Sequence, residues 1–176
     1  MSGEKSANER SSACDNDMAD CAIRQLRAFE LAALAELHAA CFEDAWDQSA
    51  LAALLAMPGA FALIAEIGGA GSEDGLPGFI MVRAIAGEAE VLSLGVRPAA
   101  RRRGLGRRLL AAALAEAGAH GAAKLFLEVA IDNLPARALY LAGGFAQVGR
   151  RANYYSRPGE AATALVLAKA IRPVAK

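Results

Sequence analysis

Between Val91 and Leu110 the chain reads VLSLGVRPAARRRGLGRRLL, a strand-like apolar run that passes through an arginine cluster into a leucine-rich helix pattern. A strand handed to a helix through a glycine turn commits this part of the chain to an α/β unit. It also sets a helix N-terminus at the strand's end, where the first N–H groups lack intrahelical acceptors. Gly104 and Gly106 allow close backbone approach to a ligand, and six arginines between Arg97 and Arg108 add positive charge. Together these describe a site for a phosphorylated ligand. The segment Arg103-Gly104-Leu105-Gly106 is neither a GKS/GKT phosphate loop nor a three-glycine dinucleotide fingerprint. Arginines alone would equally suit a solvated surface or an RNA contact. Single-stranded nucleic acid, however, calls for aromatics interleaved with the bases, and only Tyr154 and Tyr155, beside Arg150, Arg151 and Arg157, come near that. Anion binding at the helix start fits better.

The flanking periodicities extend the unit. Residues 20–27 alternate as a first strand, and residues 29–42 place Phe29, Leu31, Leu34, Leu37, His38 and Cys41 at helical spacing. A shorter helix is predicted over 49–57, with Ser49 near its start and Pro58-Gly59 as its stop. Strands follow at 61–67, 78–85 and 89–96, the first two joined by the flexible segment GGAGSEDGLPG. A helix begins at Leu105 and is punctuated by Gly118 and Gly121; residues 123–131 form a buried strand. Asp132 or Asn133 can cap a helix over 134–142, stopped by Gly143-Gly144. FAQVGRR and ATALVLAKAI give two last strands around a polar turn, ANYYSRPGE. The order β-α-α-β-β-β-α-β-α-β-β, with hairpins before the glycine turn and a crossover helix after it, predicts an α/β fold: a mixed sheet flanked by helices.

At 176 residues the chain suits one domain, taken as 19–172 after a polar, disordered leader over 1–18 that lacks the apolar core of a signal peptide. No apolar run is long enough to span a bilayer, so no membrane partner is expected. With aromatics not interleaved among the bases, no direct nucleic-acid partner is expected, and the odd, unspaced cysteines make a reducing cytoplasm the expected location. Cys14, Cys21 and Cys41 have no CxxC spacing, which argues against a disulfide framework or a metal site. The zero net charge hides an asymmetry: residues 1–96 carry fifteen acids and five bases, and residues 97–176 carry four acids and fourteen bases. In one compact domain this implies a positive cleft beside a more acidic region.

The segment Arg101-Arg102-Arg103-Gly104-Leu105-Gly106 resembles the Q/R-x-x-G-x-G/A motif of the GCN5-related N-acetyltransferases (GNAT). Residues 125–155, LFLEVAIDNLPARALYLAGGFAQVGRRANYY, are similar to the bacterial ribosomal-protein-alanine N-acetyltransferase group, RimI, as is the early segment AELHAACFEDAW. The likeness spans about residues 20–170. It implies a mostly antiparallel GNAT sheet and acetyl-coenzyme A as cosubstrate, with Arg102, Arg103, Gly104, Leu105, Gly106 and Arg107 cradling the diphosphate. It further implies that Leu94, Gly95 and Val96 lie beside the pantetheine arm and thioester, and that Asn133 contacts coenzyme A. Glu128 would be the catalytic base and Tyr140 the acid. Trp46, Tyr154 and Tyr155 would line a groove for a peptide, the acceptor being the N-terminal alanine of a small-subunit ribosomal protein. No metal is implied. The family's arginine two residues after the glutamate is replaced here by Ala130.

The chemistry suits those roles. An α-amine, with an ordinary pKa near 8, needs only a mild base before attacking a thioester, and the thiolate leaving group benefits from a hydroxyl donor. Direct attack is expected, since no cysteine lies in either catalytic segment. Plainer readings stand beside these: Glu128 as a salt-bridge residue, Tyr140 and Trp46 as packing, Asn133 as a helix cap, the tyrosine pair as cover for a turn, His38 as a satisfied core histidine. Other acceptors (other protein N-termini, lysines, small amines) and a non-catalytic coenzyme A-binding module also remain open.

Overall fold

The computed structural model describes residues 21–67, 75–157 and 160–171. The leader therefore lies outside the described residues, as do 68–74 of the GGAGSEDGLPG segment. Seven strands, β1 (Cys21–Gln25), β2 (Ala60–Ile67), β3 (Gly78–Ile85), β4 (Glu88–Val96), β5 (Lys124–Ala130), β6 (Ala146–Arg157) and β7 (Glu160–Ala170), form one sheet in the order β1-β2-β3-β4-β5-β7-β6. Every neighbouring pair is antiparallel except β4–β5, which is parallel. Helices α1 (Leu31–Cys41), α2 (Gln48–Leu55), α3 (Leu105–Ala119) and α4 (Leu134–Ala142) complete the fold. The sequence-derived order and the mixed, mostly antiparallel sheet are both present. The parallel pair is the one place that needs a crossover, and α3 supplies it.

Strand alternation divides the core in two. On one face Ile80, Val82, Leu125, Leu127 and Val129 pack against Leu105, Leu109, Leu110 and Ala113 of α3 and Tyr140 of α4. On the other, Ile64, Phe79 and Met81 pack against Leu34 and Leu37 of α1 and Leu51 of α2. Burying both faces of the central strands explains why they read as nearly continuous apolar runs.

Several boundaries differ from the sequence reading. The first helix starts two residues late, behind a 3₁₀ turn at Ala28–Glu30, and this leaves Phe29 exposed rather than in the apolar stripe. Helix α2 begins at Gln48, one residue earlier than read, with Ser49 near its start as expected; Asp47 caps it, accepting from the Ala50 N–H at 2.8 Å. Helix α3 runs through Gly118, where a Cβ would come within 3.0 Å of Ile171 Cγ2, so that glycine serves close packing; Gly121, at φ +82°, makes the turn. The last hairpin is longer than expected. β6 continues to Arg157 and absorbs irregularities between Gln147 and Gly149 and between Arg151 and Tyr155, so Tyr154 and Tyr155 lie in a strand and not in a polar turn.

Candidate active site

The site begins as a break in the sheet. β4 and β5 pair only at Glu88–Lys124, Ala89–Leu125 and Glu90–Phe126. Beyond these, β5 keeps pairing with β7 as far as Ala130, while β4 continues to Val96 against β3. An irregularity between Met81 and Val82, at the extra residue Leu92, adds to the divergence. The result is a seam with Val91–Val96 on one side and Leu127–Ala130 on the other. Backbone groups on the two facing edges are available to a ligand that adds itself as a strand would.

α3 starts at the seam's open end. Its N-cap, Gly104, is left-handed at φ +78°, and a Cβ there would meet nothing within 4 Å. Arg102 is also left-handed at φ +65°. A non-glycine residue held there costs about 1–2 kcal/mol, a strain that gathers at ligand-binding turns. The loop therefore combines unpaired first-turn N–H groups, open space and positive charge. Gly106 has a different use: a Cβ on it would lie 3.1 Å from Leu139 Cδ2, so it brings α3 close to α4. The six arginines divide as well. Arg97, Arg101 and Arg108 donate to the carbonyls of Leu76, Val96 and Cys21 and brace the loop. Arg102, Arg103 and Arg107 are exposed on its outer side.

Glu128 lies two residues past the last β4–β5 pair, on the sheet face opposite Leu127 and Val129. Its side chain is 11% exposed, and Oε1 accepts from Arg151 Nε at 2.9 Å. Oε2 is buried and has no hydrogen-bond partner. A lone buried carboxylate oxygen is costly unless something completes it. Arg151 does not come from a neighbouring strand: it lies on β6 and reaches across β7, beside Ala164. Ala130, where the sequence motif has arginine, pairs with that same Ala164. A guanidinium thus arrives from two strands away, on the face where position 130 offers only a methyl group.

Tyr140, 7% exposed, belongs to the other face, among the α3-side residues and 6.0 Å from the Phe145 ring. Glu128 and Tyr140 thus lie on opposite faces of the sheet. Asn133 caps α4, accepting from the Ala136 N–H at 3.2 Å, which leaves its amide NH₂ outward. Leu94 and Val96 side chains pack towards α3; Gly95 points the other way, where a Cβ would strike Phe79 and Cys41. The glycine there is required by packing.

The loop between α1 and α2 lies on Glu128's side of the sheet. It is held by His38, only 2% exposed, whose Nδ1 accepts the Trp46 N–H at 3.1 Å and whose Nε2 is 3.4 Å from Ser93 Oγ. The Trp46 ring stacks on the imidazole at 4.9 Å. Burial pushes the His38 pKa down, so the ring is neutral, and the Trp46 contact places its proton on Nε2. Trp46 is half-buried and doubles as packing. The side chains of Tyr154 and Tyr155 lie outside the described residues. Sequence reasoning missed Arg151 and gave His38 only a core role. A hint of the second was present, a histidine eight residues before the tryptophan of a helix–helix loop.

A separate cleft lies elsewhere. It encloses about 410 Å³ between Arg27, Leu31, Leu55 and Phe61. Phe61 lies across the sheet from Val82 and Val91, towards the end where β4 and β5 are still joined. It contains none of the residues above.

Residues 31–145 match the Acetyltransferase (GNAT) family. The chain belongs to that family. Among curated proteins, it is 30% identical over 141 residues to a Bacillus subtilis (strain 168) protein provisionally named a [ribosomal protein bS18]-alanine N-acetyltransferase, covering 79% of this chain and 89% of that one. It is 34% identical over 97 residues to the Haemophilus ducreyi [ribosomal protein bS18]-alanine N-acetyltransferase, 54% of this chain and 67% of the other. The crystal structure of the ribosomal-protein-S18-alanine N-acetyltransferase from Escherichia coli superposes with a TM-score of 0.77 at 26% identity, covering 89% of this chain and 96% of that one. As a GNAT member, the chain has the fold of an acyltransferase that takes its acyl group from acetyl-coenzyme A. The open left-handed turn at Gly104, the arginines around it and the unpaired edge of β4 fit that cosubstrate. Among the described residues no group of three or more His, Cys, Asp or Glu side chains is placed to hold a metal, and no helix is long and apolar enough to cross a membrane.

Proposed function

We propose that this GNAT member transfers the acetyl group of acetyl-coenzyme A to the α-amine of an N-terminal alanine on a small-subunit ribosomal protein. The observation that carries the chemistry is Glu128 Oε2, a buried carboxylate oxygen without a partner, beside a seam in the sheet. The acceptor is drawn from the likeness to the bS18-alanine acetyltransferases, to which the chain is similar over most of its length.

Each step has a residue. The α3 N-terminus, with Arg102, Arg103, Gly104, Leu105, Gly106 and Arg107, holds the diphosphate through N–H groups and charge. Asn133 offers its amide to coenzyme A, and backbone groups of Leu94, Gly95 and Val96 pair with the pantetheine arm and polarise the thioester carbonyl. The amine enters from the α1–α2 side, between the Trp46 loop and the β6 segment with Tyr154 and Tyr155. Glu128 Oε2 takes its proton, directly or through one water, as nitrogen bonds to the carbonyl carbon. When the C–S bond breaks, the thiolate leaves towards the opposite face, where Tyr140 gives it a proton.

The test offers acetyl-coenzyme A and peptides copying the starts of ribosomal proteins, with acetyl gain read by mass. Transfer to one alanine-starting peptide is the expected result. Transfer only to lysines or small amines would remove the acceptor assignment and keep the chemistry. Coenzyme A binding with no transfer to any amine would remove both.

A further inference from the structure

From the way the Glu128 carboxylate is held, we infer that Arg151 is a positioning residue for the base. It occupies Oε1 and turns Oε2 towards the seam as the one oxygen that takes the proton. This rests on Glu128 being the base of the proposed reaction.

A carboxylate at the end of a two-carbon stem has two equivalent oxygens and turns freely about its last bond. Proton transfer within about 3 Å needs one oxygen at one place. Arg151 Nε donates to Oε1 at 2.9 Å and breaks the equivalence, while Oε2 stays buried and bare. The guanidinium also counters the cost of an ionised carboxylate with only 11% exposure. The path is built into the sheet. β7 lies between β6 and β5, and the residue beside Arg151 on it is Ala164, small enough for a long side chain to pass over. Ala130, which pairs with Ala164 on β5, also leaves that path clear. Arg151 is itself 61% exposed, so it adds little to the core. It lies on the same strand, β6, three residues before Tyr154.

Acetyl transfer to an alanine-starting peptide is measured for the wild type, Arg151→Met, Arg151→Lys, Glu128→Gln and the double variant Glu128→Gln/Arg151→Met. Coenzyme A affinity is followed as a control. Arg151→Met is expected to lower kcat roughly tenfold or more, with KM for acetyl-coenzyme A unchanged. Arg151→Lys, which keeps the charge on a similar stem, should recover part of that loss. The double variant should be no slower than Glu128→Gln alone, because Arg151 acts through a group already removed. Full kcat in Arg151→Met, or losses that multiply in the double variant, would overturn the inference and leave Glu128 as the base. Full activity in Glu128→Gln would instead remove the base assignment itself.

Discussion

Two arginine–carboxylate clusters bind this sheet together, and they are finished differently. At the β1 edge, Arg24 is bonded to Glu30 and Glu66 so that all four carboxylate oxygens are used: Glu30 Oε1 at 2.6 Å and Oε2 at 2.8 Å, Glu66 Oε1 at 3.0 Å and Oε2 at 2.9 Å. Glu30 Oε2 also accepts the Arg27 N–H, which pins the 3₁₀ turn before α1. At the seam, Arg151 satisfies one oxygen of Glu128 and leaves the other buried and bare. The three carboxylates, Glu30, Glu66 and Glu128, are all largely shielded from water, at 13%, 16% and 11% exposure, so burial does not separate the clusters. Completion does: the first cluster has no vacancy for a substrate, and the second has one acceptor site on the side where an amine would arrive.

The comparison breaks most readily at Glu128. Glu128→Gln should reduce acetyl transfer by about 10²–10⁴-fold, equivalent to roughly 3–5 kcal/mol of barrier, with coenzyme A affinity and thermal midpoint near wild type. A stability loss without a rate loss would make the two clusters alike. The reciprocal change is Arg24→Met, which strands two carboxylates. It should cost on the order of 2–3 kcal/mol of unfolding free energy by denaturant titration and leave kcat intact.

The pH dependence sharpens the same contrast. Arg24 holds the Glu30 pKa down at about 2, and Glu66 is lowered for the same reason. In the unfolded chain these groups titrate near 4.3, so the unfolded state binds more protons as the solution is acidified. The stabilisation is therefore complete above about pH 5 and is lost as pH falls from there towards 2. Melting wild type and Glu30→Gln in parallel should show a gap at pH 7 that narrows below about pH 4 and closes only as the pH approaches about 2. A gap independent of pH would mean the cluster is not ionic. The smallest effect is expected at His38. His38→Phe removes the acceptor for the Trp46 N–H while keeping a ring in place. It should raise KM for the peptide a few-fold and leave KM for acetyl-coenzyme A unchanged.

Much of this frame was readable in the chain, and the failures have physical causes. Strands 78–85 and 89–96 and the helix 134–142 emerge from local periodicity and local stops, because each signal lies within a few residues of what it controls. The Asn133 cap is legible for the same reason. The 3₁₀ turn was missed because its cause, Glu30 bonded to Arg24 and to the Arg27 N–H, depends on a tertiary ion pair. Arg151 was missed because its partner is twenty-three residues away and two strands over, in a register set by irregularities that no period reveals. Glu128 itself was found only through the likeness to a family, since alternation alone leaves it a half-buried acid on a strand. The arginine cluster was legible as charge, yet not as a division of labour between bracing and display.

The seam between β4 and β5 has a mechanical consequence. Four strands lie on one side of it and three on the other, and among the described residues the backbone ladder crossing it is three residue pairs long, extended by the Ala123 N–H to Gly87 carbonyl bond at 2.7 Å. Helix α3 packs its side chains against strands of both halves. A ligand laid into the opening, hydrogen-bonded to either lip, would act as the missing stretch of ladder and stitch the halves into one elastic body. Its binding free energy would then appear as resistance to unfolding, growing with the logarithm of its concentration above Kd. If the donor binds there as proposed, the fold's rigidity becomes a reporter of whether the donor is present.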